Sequence, residues 1–124
     1  MTERDEKIRS YFASWLTGDN ACWTELFSED VVYTECYGPE YHGLSQMKQW
    51  FADWTARGKV LRWDGKRFMH DGNSTCVEWY FLCEYDGGLG GFDGVTWIDW
   101  DENGRIVSLR EFQSKAEHVY PYGV

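Results

Sequence analysis

Apolar residues recur at helical spacing through the first part of the chain. Ile8, Tyr11, Phe12, Trp15 and Leu16 fall at i, i+3, i+4, i+7 and i+8, which predicts an amphipathic helix with one buried stripe. Gly18 supplies its stop, and Asp19 is placed to cap a second, shorter helix carrying Cys22, Trp23, Leu26 and Phe27. Residues 31–36 (VVYTEC) are β-branched and aromatic, so they predict a strand that runs into a turn at Gly38-Pro39. Ser45 stands where a third helix would be capped. That helix carries Met47, Trp50, Phe51 and Trp54 on its stripe and ends at Gly58.

From Lys59 onward the period changes to alternation. Residues 60–63 and 67–70 predict one long strand interrupted near Asp64-Gly65, and Asp71-Gly72-Asn73 turns the chain. Residues 75–85 form the strongest strand pattern. Val77, Trp79, Phe81, Cys83 and Tyr85 make one apolar face, opposite the mixed face of Cys76, Glu78, Tyr80, Leu82 and Glu84. The stretch from Asp86 to Gly91 is glycine-rich and predicts a flexible hairpin loop. Residues 94–100 and 105–113 then pair through Glu102-Asn103-Gly104. Helices followed by a run of strands predict an α+β domain, a curved mixed or antiparallel sheet wrapped around three N-terminal helices. The glycine cluster is followed by a strand, not a helix, so it is not a dinucleotide-binding loop.

Length allows one domain over residues 1–124, large enough to bury a core without disulfides or metal. Twelve Lys and Arg stand against 21 Asp and Glu, a formal net charge of -9, which excludes a basic nucleic-acid footprint. Mean hydropathy is -0.59, and no apolar run approaches the ~20 residues of a membrane span. The opening MTERDEK is charged and lacks the apolar stretch of a secretion signal. Cys22, Cys36, Cys76 and Cys83 are scattered, without the close pairs of zinc or redox sites, so they read as reduced, mostly buried thiols of a cytoplasmic protein. Eight Trp, eight Tyr and seven Phe exceed what closing a small core requires. They predict a cavity walled by rings, a second apolar surface, or both.

The order of elements, with GDNACWTELFSEDVVY, YHGLSQMKQWF and DENGRIVSLREF at their spacing, resembles the nuclear transport factor 2-like (SnoaL-like) cone domains. The resemblance covers the chain from the Tyr11 helix to about Gln113. The later KAEHVYPYGV matches no enzyme signature. Steroid isomerases of this fold carry a tyrosine donor seven residues before a helix-ending glycine, as Tyr11 stands before Gly18. Their general base lies three residues before a glycine, as Glu35 stands before Gly38. Their second oxyanion donor, a protonated aspartate, falls on Thr96. Limonene-epoxide hydrolases resemble the chain at Arg110-Glu111-Phe112 and at Tyr33 and Glu35. Their Arg-x-Asp falls on Trp79-Tyr80-Phe81, so epoxide hydrolysis is not implied. Dehydratases of the fold use paired histidines, and His42, His70 and His118 form no matched pair.

Alternation puts Val107, Leu109, Glu111 and Gln113 on one face of the last strand, and the resemblance turns that face inward, with Glu35 beside Tyr33. Two carboxylates converging in an aromatic pocket repel and lose solvation, which raises both pKa values and suits them to acid–base work. Tyr11, Glu35 and Glu111 are therefore the candidate catalytic residues. Trp15, Tyr33, Trp50, Trp54, Trp79, Phe81, Thr96, Leu109 and Gln113 are the candidate ligand contacts. The other reading pairs Glu111 with Arg62 or Arg67, leaves Glu35 at the solvent-filled mouth, and makes Tyr11 core. The ligand expected is a small apolar, ringed molecule, with no cofactor and no metal. Its catalytic form would be a cofactor-free isomerase, cyclase or lyase, and its rival a noncatalytic binding or association module whose pocket is filled by its own side chains. A pocket of roughly 300 Å³ or more around both carboxylates would favour the first. Tyr80, Leu82, Trp97 and Phe112 predict an apolar outer sheet face and a homodimer packed through it.

Overall fold

The computed structural model describes residues 2–114 and 118–124, so residues 115–117, the start of the KAEHVYPYGV stretch, lie outside the described residues. Helix α1 (Glu3–Thr17) begins with a reciprocal cap: the Thr2 hydroxyl accepts the Asp5 N–H at 3.1 Å, and the Asp5 carboxylate accepts the Thr2 N–H at 3.4 Å. It ends at Gly18, whose φ of 75° is the left-handed conformation expected after a helix. Its stripe buries Ile8, Tyr11, Phe12 and Trp15, while Leu16 lies at the edge and is exposed.

A short α2 (Trp23–Leu26) leads directly into β1 (Phe27–Thr34), and β2 (Glu40–His42) folds back on β1 before α3 (Leu44–Thr55). Three strands follow in antiparallel succession, β3 (Gly58–Asp71), β4 (Ser74–Tyr85) and β5 (Gly88–Trp100), and β6 (Ile106–Gln113) closes the run. The sheet order is β2-β1-β6-β5-β4-β3, with β1 and β6 parallel and every other pair antiparallel. The expected α+β architecture is thus found: three helices against a curved, unclosed mixed sheet. The core between the layers gathers Trp23, Phe27, Tyr33, Met47, Trp79, Ile98, Ile106 and Leu109, each almost without solvent contact.

Several local expectations are corrected. Asp19 does not cap α2; its carboxylate accepts the Ala21 N–H at 2.9 Å, and the cap position is Cys22, without a side-chain bond. Ser45 lies inside α3, whose cap is Gly43. Phe27 opens β1 instead of closing α2, and the strand stops at Thr34, short of Glu35 and Cys36. The glycine-rich stretch is not a flexible loop. Asp86 and Gly87, with φ of 50° and 82°, make a two-residue turn, and β5 already runs from Gly88 in register with β4. The interruption expected near Asp64-Gly65 is a bulge, with the pairing shifting between Gly65 and Arg67. The four cysteines are free, but only Cys83 is buried.

Candidate functional site

The β1–β6 register builds the site. Tyr33 lies beside Leu109 and Thr34 beside Arg110, so two residues further on Glu111 comes level with the turn that carries Glu35 and Cys36. That turn is fixed by its own bonds: the Glu35 N–H donates to the Pro39 carbonyl at 2.9 Å, and the Gly38 N–H to the Glu35 carbonyl at 3.1 Å. Gly38, with φ of 111°, supplies the backbone conformation. The β1–β2 hairpin places Tyr41 opposite Tyr33, and its hydroxyl donates to Glu35 Oε1 at 2.5 Å.

Glu111 is held by a chain of donors. The Tyr11 hydroxyl donates to the Tyr33 hydroxyl at 2.8 Å, Tyr33 donates to Glu111 Oε2, and the Cys36 N–H donates to Glu111 Oε1 at 3.3 Å. Burial pushes the Glu111 carboxyl up to about 7. The Glu35 charge adds to this, while the bonds from Tyr33 and Cys36 oppose it. Burial also raises Glu35, against the lowering effect of its bond from Tyr41. Tyr11 and Tyr33 lie well above the usual phenol range because they are buried and face the Glu111 carboxylate. The Cys36 thiol rises to about 12 for the same reasons. The arrangement can store a proton near neutrality at one carboxyl and leave a second carboxylate nearby to take one up.

Both carboxylates line an inner chamber walled by Trp15, Trp50, Trp54, Trp63, Trp79, Phe81 and Phe92, with Tyr37 and Val60. It leaves the centre of a water-sized sphere about 40 Å³ in which to move. Glu35, Tyr37, Trp50 and Trp54 also belong to a wider vestibule of about 580 Å³, completed by Pro39, Tyr41, Asp53, Arg57, Cys83 and Tyr85. The pocket of roughly 300 Å³ or more around both carboxylates, which would favour the ligand-binding reading over a filled cone, is not found in one piece. The large volume touches Glu35 only, and Glu111 sits at the end of the small one. The Nε1 atoms of Trp50 and Trp63 are buried without an acceptor among the described residues.

The sequence-derived contacts divide. Trp15, Trp50, Trp54, Trp79 and Phe81 line the chamber with Glu35 and Glu111. Tyr11, Tyr33, Thr96 and Leu109 lie behind that wall, each at most 2 % exposed. The expectation that the Tyr11 hydroxyl faces a ligand is corrected, because it is taken up by Tyr33. Thr96 neighbours Glu111 in the β5–β6 register, but its hydroxyl accepts the Trp79 indole N–H at 2.7 Å. Gln113 is exposed beyond the site. Arg62 and Arg67 pair with Asp64 and Glu78, so neither neutralises Glu111.

Trp63, Phe92, Tyr37 and Tyr41 are among the site residues that the sequence pattern missed. Trp63 points inward because the β3–β4 pairing shifts between Val60 and Arg62, reversing the alternation. Phe92 fell near the glycine stretch, and β2 is only three residues long. Of the histidines, His70 has a structural place, facing the Asp5 carboxylate at 2.5 Å and the Thr75 hydroxyl at 2.6 Å. Among the described residues no helix is long and apolar enough to cross a membrane.

Comparison with known proteins bears on the same fold. The sequence matches the family described as SnoaL-like domain over residues 8–109. No curated protein matches it by sequence. Among solved structures it is similar to a Catenulispora acidiphila protein of ketosteroid isomerase-like fold, crystallised in complex with trimethylamine. The TM-score is 0.77 and the identity 18%, over 88% of this chain and 85% of that one. A candidate polyketide cyclase of Pseudomonas putida gives a TM-score of 0.79 at 16% identity, covering 92% of this chain and 93% of the other. An LEH-like epoxide hydrolase of M. tuberculosis gives 0.79 at 15% identity, covering 90% of this chain and 83% of the other. At such identities the likeness is one of fold.

Proposed function

Because the chain belongs to the SnoaL-like domain family, we propose that residues 1–124 act as one domain that takes a small apolar, ringed molecule and transforms it by cofactor-free acid–base chemistry, as an isomerase, cyclase or lyase. The observation that carries this reading is the pair Glu35 and Glu111 on one aromatic chamber, with the proton affinity of Glu111 raised to neutrality. Glu35, which also borders the wide vestibule, is the base that removes a proton from carbon. Glu111 donates the proton that quenches the developing enolate oxygen. Tyr11 and Tyr33 act through Glu111 as positioning residues. The vestibule volume falls within the range of small-molecule sites, and rings suit a flat ligand.

The test uses 2-tetralone, a flat bicyclic ketone with an acidic carbon. Its C1 hydrogens should exchange with D2O, followed by NMR, faster with the wild-type protein than with Glu35→Gln or Glu111→Gln, while both variants keep the wild-type circular dichroism. Equal exchange by the wild type and the double variant would overturn the assignment. A second reading is favoured by the small inner chamber: a noncatalytic module whose own rings fill its cone. It predicts quenching of tryptophan fluorescence by 2-tetralone with no exchange.

We further place the protein in the reducing cytoplasm, in keeping with its four free cysteines, and assign it a homodimer through the outer sheet face of Tyr80, Leu82, Trp97 and Phe112. Support for the dimer comes from the exposure of Trp97 (44 %) and Phe112 (52 %) on that face.

A further inference from the structure

We infer that the inner chamber receives a small alkylammonium group, a trimethylammonium-type head. The inference shares the chamber with the proposed function but does not depend on proton transfer. It starts from an imbalance of charge. Glu35 and Glu111 both line the chamber, and among the described residues no Lys or Arg does. The vestibule holds one arginine, Arg57, which is paired with Asp86 through two bonds and accompanied by Asp53. A buried carboxylate without a counter-charge is costly. Glu111 avoids part of that cost by keeping its proton up to about neutral pH. A neutral ligand leaves Glu35 uncompensated, an anion adds to the cost, and an organic cation relieves it and lets Glu111 ionise. The net charge of -9 also draws cations toward the protein.

The walls select the kind of cation. Aromatic faces carry partial negative charge and attract cations, indole most strongly. Five tryptophans and two phenylalanines surround this space. Trp63 meets Trp79 at 82° and Phe81 at 80°, and Trp15 meets Trp54 at 86°, so neighbouring rings stand as adjacent sides of a box. A metal ion or a primary ammonium would need a shell of oxygen acceptors, whereas methyl groups on nitrogen spread the charge over surfaces that rings can cover. The chamber is narrow and suits a compact head. The remainder of such a molecule would lie in the vestibule.

Choline tests this against its neutral isostere, 3,3-dimethylbutan-1-ol. Each is titrated into the full chain, with potassium chloride as the ionic control, and followed by tryptophan fluorescence and calorimetry. Choline should bind about tenfold or more tightly than the alcohol. Glu35→Gln and Glu111→Gln should each weaken choline about tenfold and leave the alcohol unchanged, and Trp54→Leu should weaken both. The inference is overturned if the alcohol binds as well as choline, if choline does no more than potassium chloride, or if the Gln variants bind choline like the wild type. Loss of choline binding with tetralone exchange intact removes this inference alone; loss of exchange with choline binding intact removes only the acid–base reading.

Discussion

Glu111 concentrates the chemistry of the molecule in one side chain, and its elevated proton affinity has a consequence for stability. A carboxyl whose folded pKa is near 7, against an ordinary value of 4.5, holds its proton in the folded chain and loses it in the unfolded chain between those two pH values. Over that window the folded state binds more protons, so stability falls as pH rises and levels off above about 7. Below about 4.5 both states are protonated and Glu111 contributes nothing. The displacement corresponds to a loss on the order of 3 kcal/mol. Glu111→Gln removes the titration, so its stability relative to the wild type should climb from pH 5 to pH 8, measured by urea unfolding at each pH. Parallel curves for the two proteins would show that Glu111 is not held protonated. Alternation showed that Glu111 shares a face with Leu109 and Glu35 one with Tyr33, but that these faces look inward came from the family resemblance, not from the period. The donor that holds Glu35, Tyr41, was not legible, because a three-residue strand carries no period to read.

At the scale of elements, the helical stripes and the β4 alternation were legible because each buries one regular face. The first half of β5 was not, because Gly88, Gly90, Gly91 and Gly94 carry no side chains to alternate. It is a strand because β4 supplies the full ladder, and two of those glycines leave space that β4 uses. A Cβ on Gly94 would stand 2.4 Å from the Trp79 ring and 2.6 Å from the Phe112 carbonyl. A Cβ on Gly90 would meet nothing within 4 Å. Gly94→Ala should therefore cost about 1–3 kcal/mol, since a buried ring and a sheet backbone must both shift, and Gly90→Ala should be close to neutral. Chemical denaturation of the two variants decides it. Similar stabilities would mean that Trp79 has room to move, and the chamber wall would be softer than its packing implies. Trp63 makes the complementary point: its ring is in the chamber because a bulge reverses the strand, an effect of pairing with β4 that no count along β3 alone can contain.

The whole molecule presents two aromatic surfaces, one enclosed and one open, and the large share of rings in the sequence is divided between them. On the convex face, the strand registers align Met69, Cys76, Trp97 and Arg110 in one row across four strands, and Arg67, Glu78, Val95 and Phe112 in the next. Met69, Trp97 and Phe112 are exposed, while Arg62 and Arg110 lie over the rings of Tyr80 and Phe112. Arginine interleaved with aromatic residues is the composition of protein interfaces more than of free surface. Because the rows carry charges of both signs, including the Arg67–Glu78 pair, a second copy turned about a two-fold axis would match aromatic to aromatic and base to acid. Light scattering at micromolar concentration should then give twice the chain mass of 14.6 kDa. Trp97→Glu, at the centre of the first row, should shift the protein to the monomer without altering choline binding, since Trp97 lies on the opposite side of the sheet from the chamber. A monomeric wild type would remove the dimer and leave the convex rings without an assigned partner. A monomeric variant that also loses choline would mean that the two faces are coupled through β5, whose Thr96 and Ile98 flank Trp97 on the inner side.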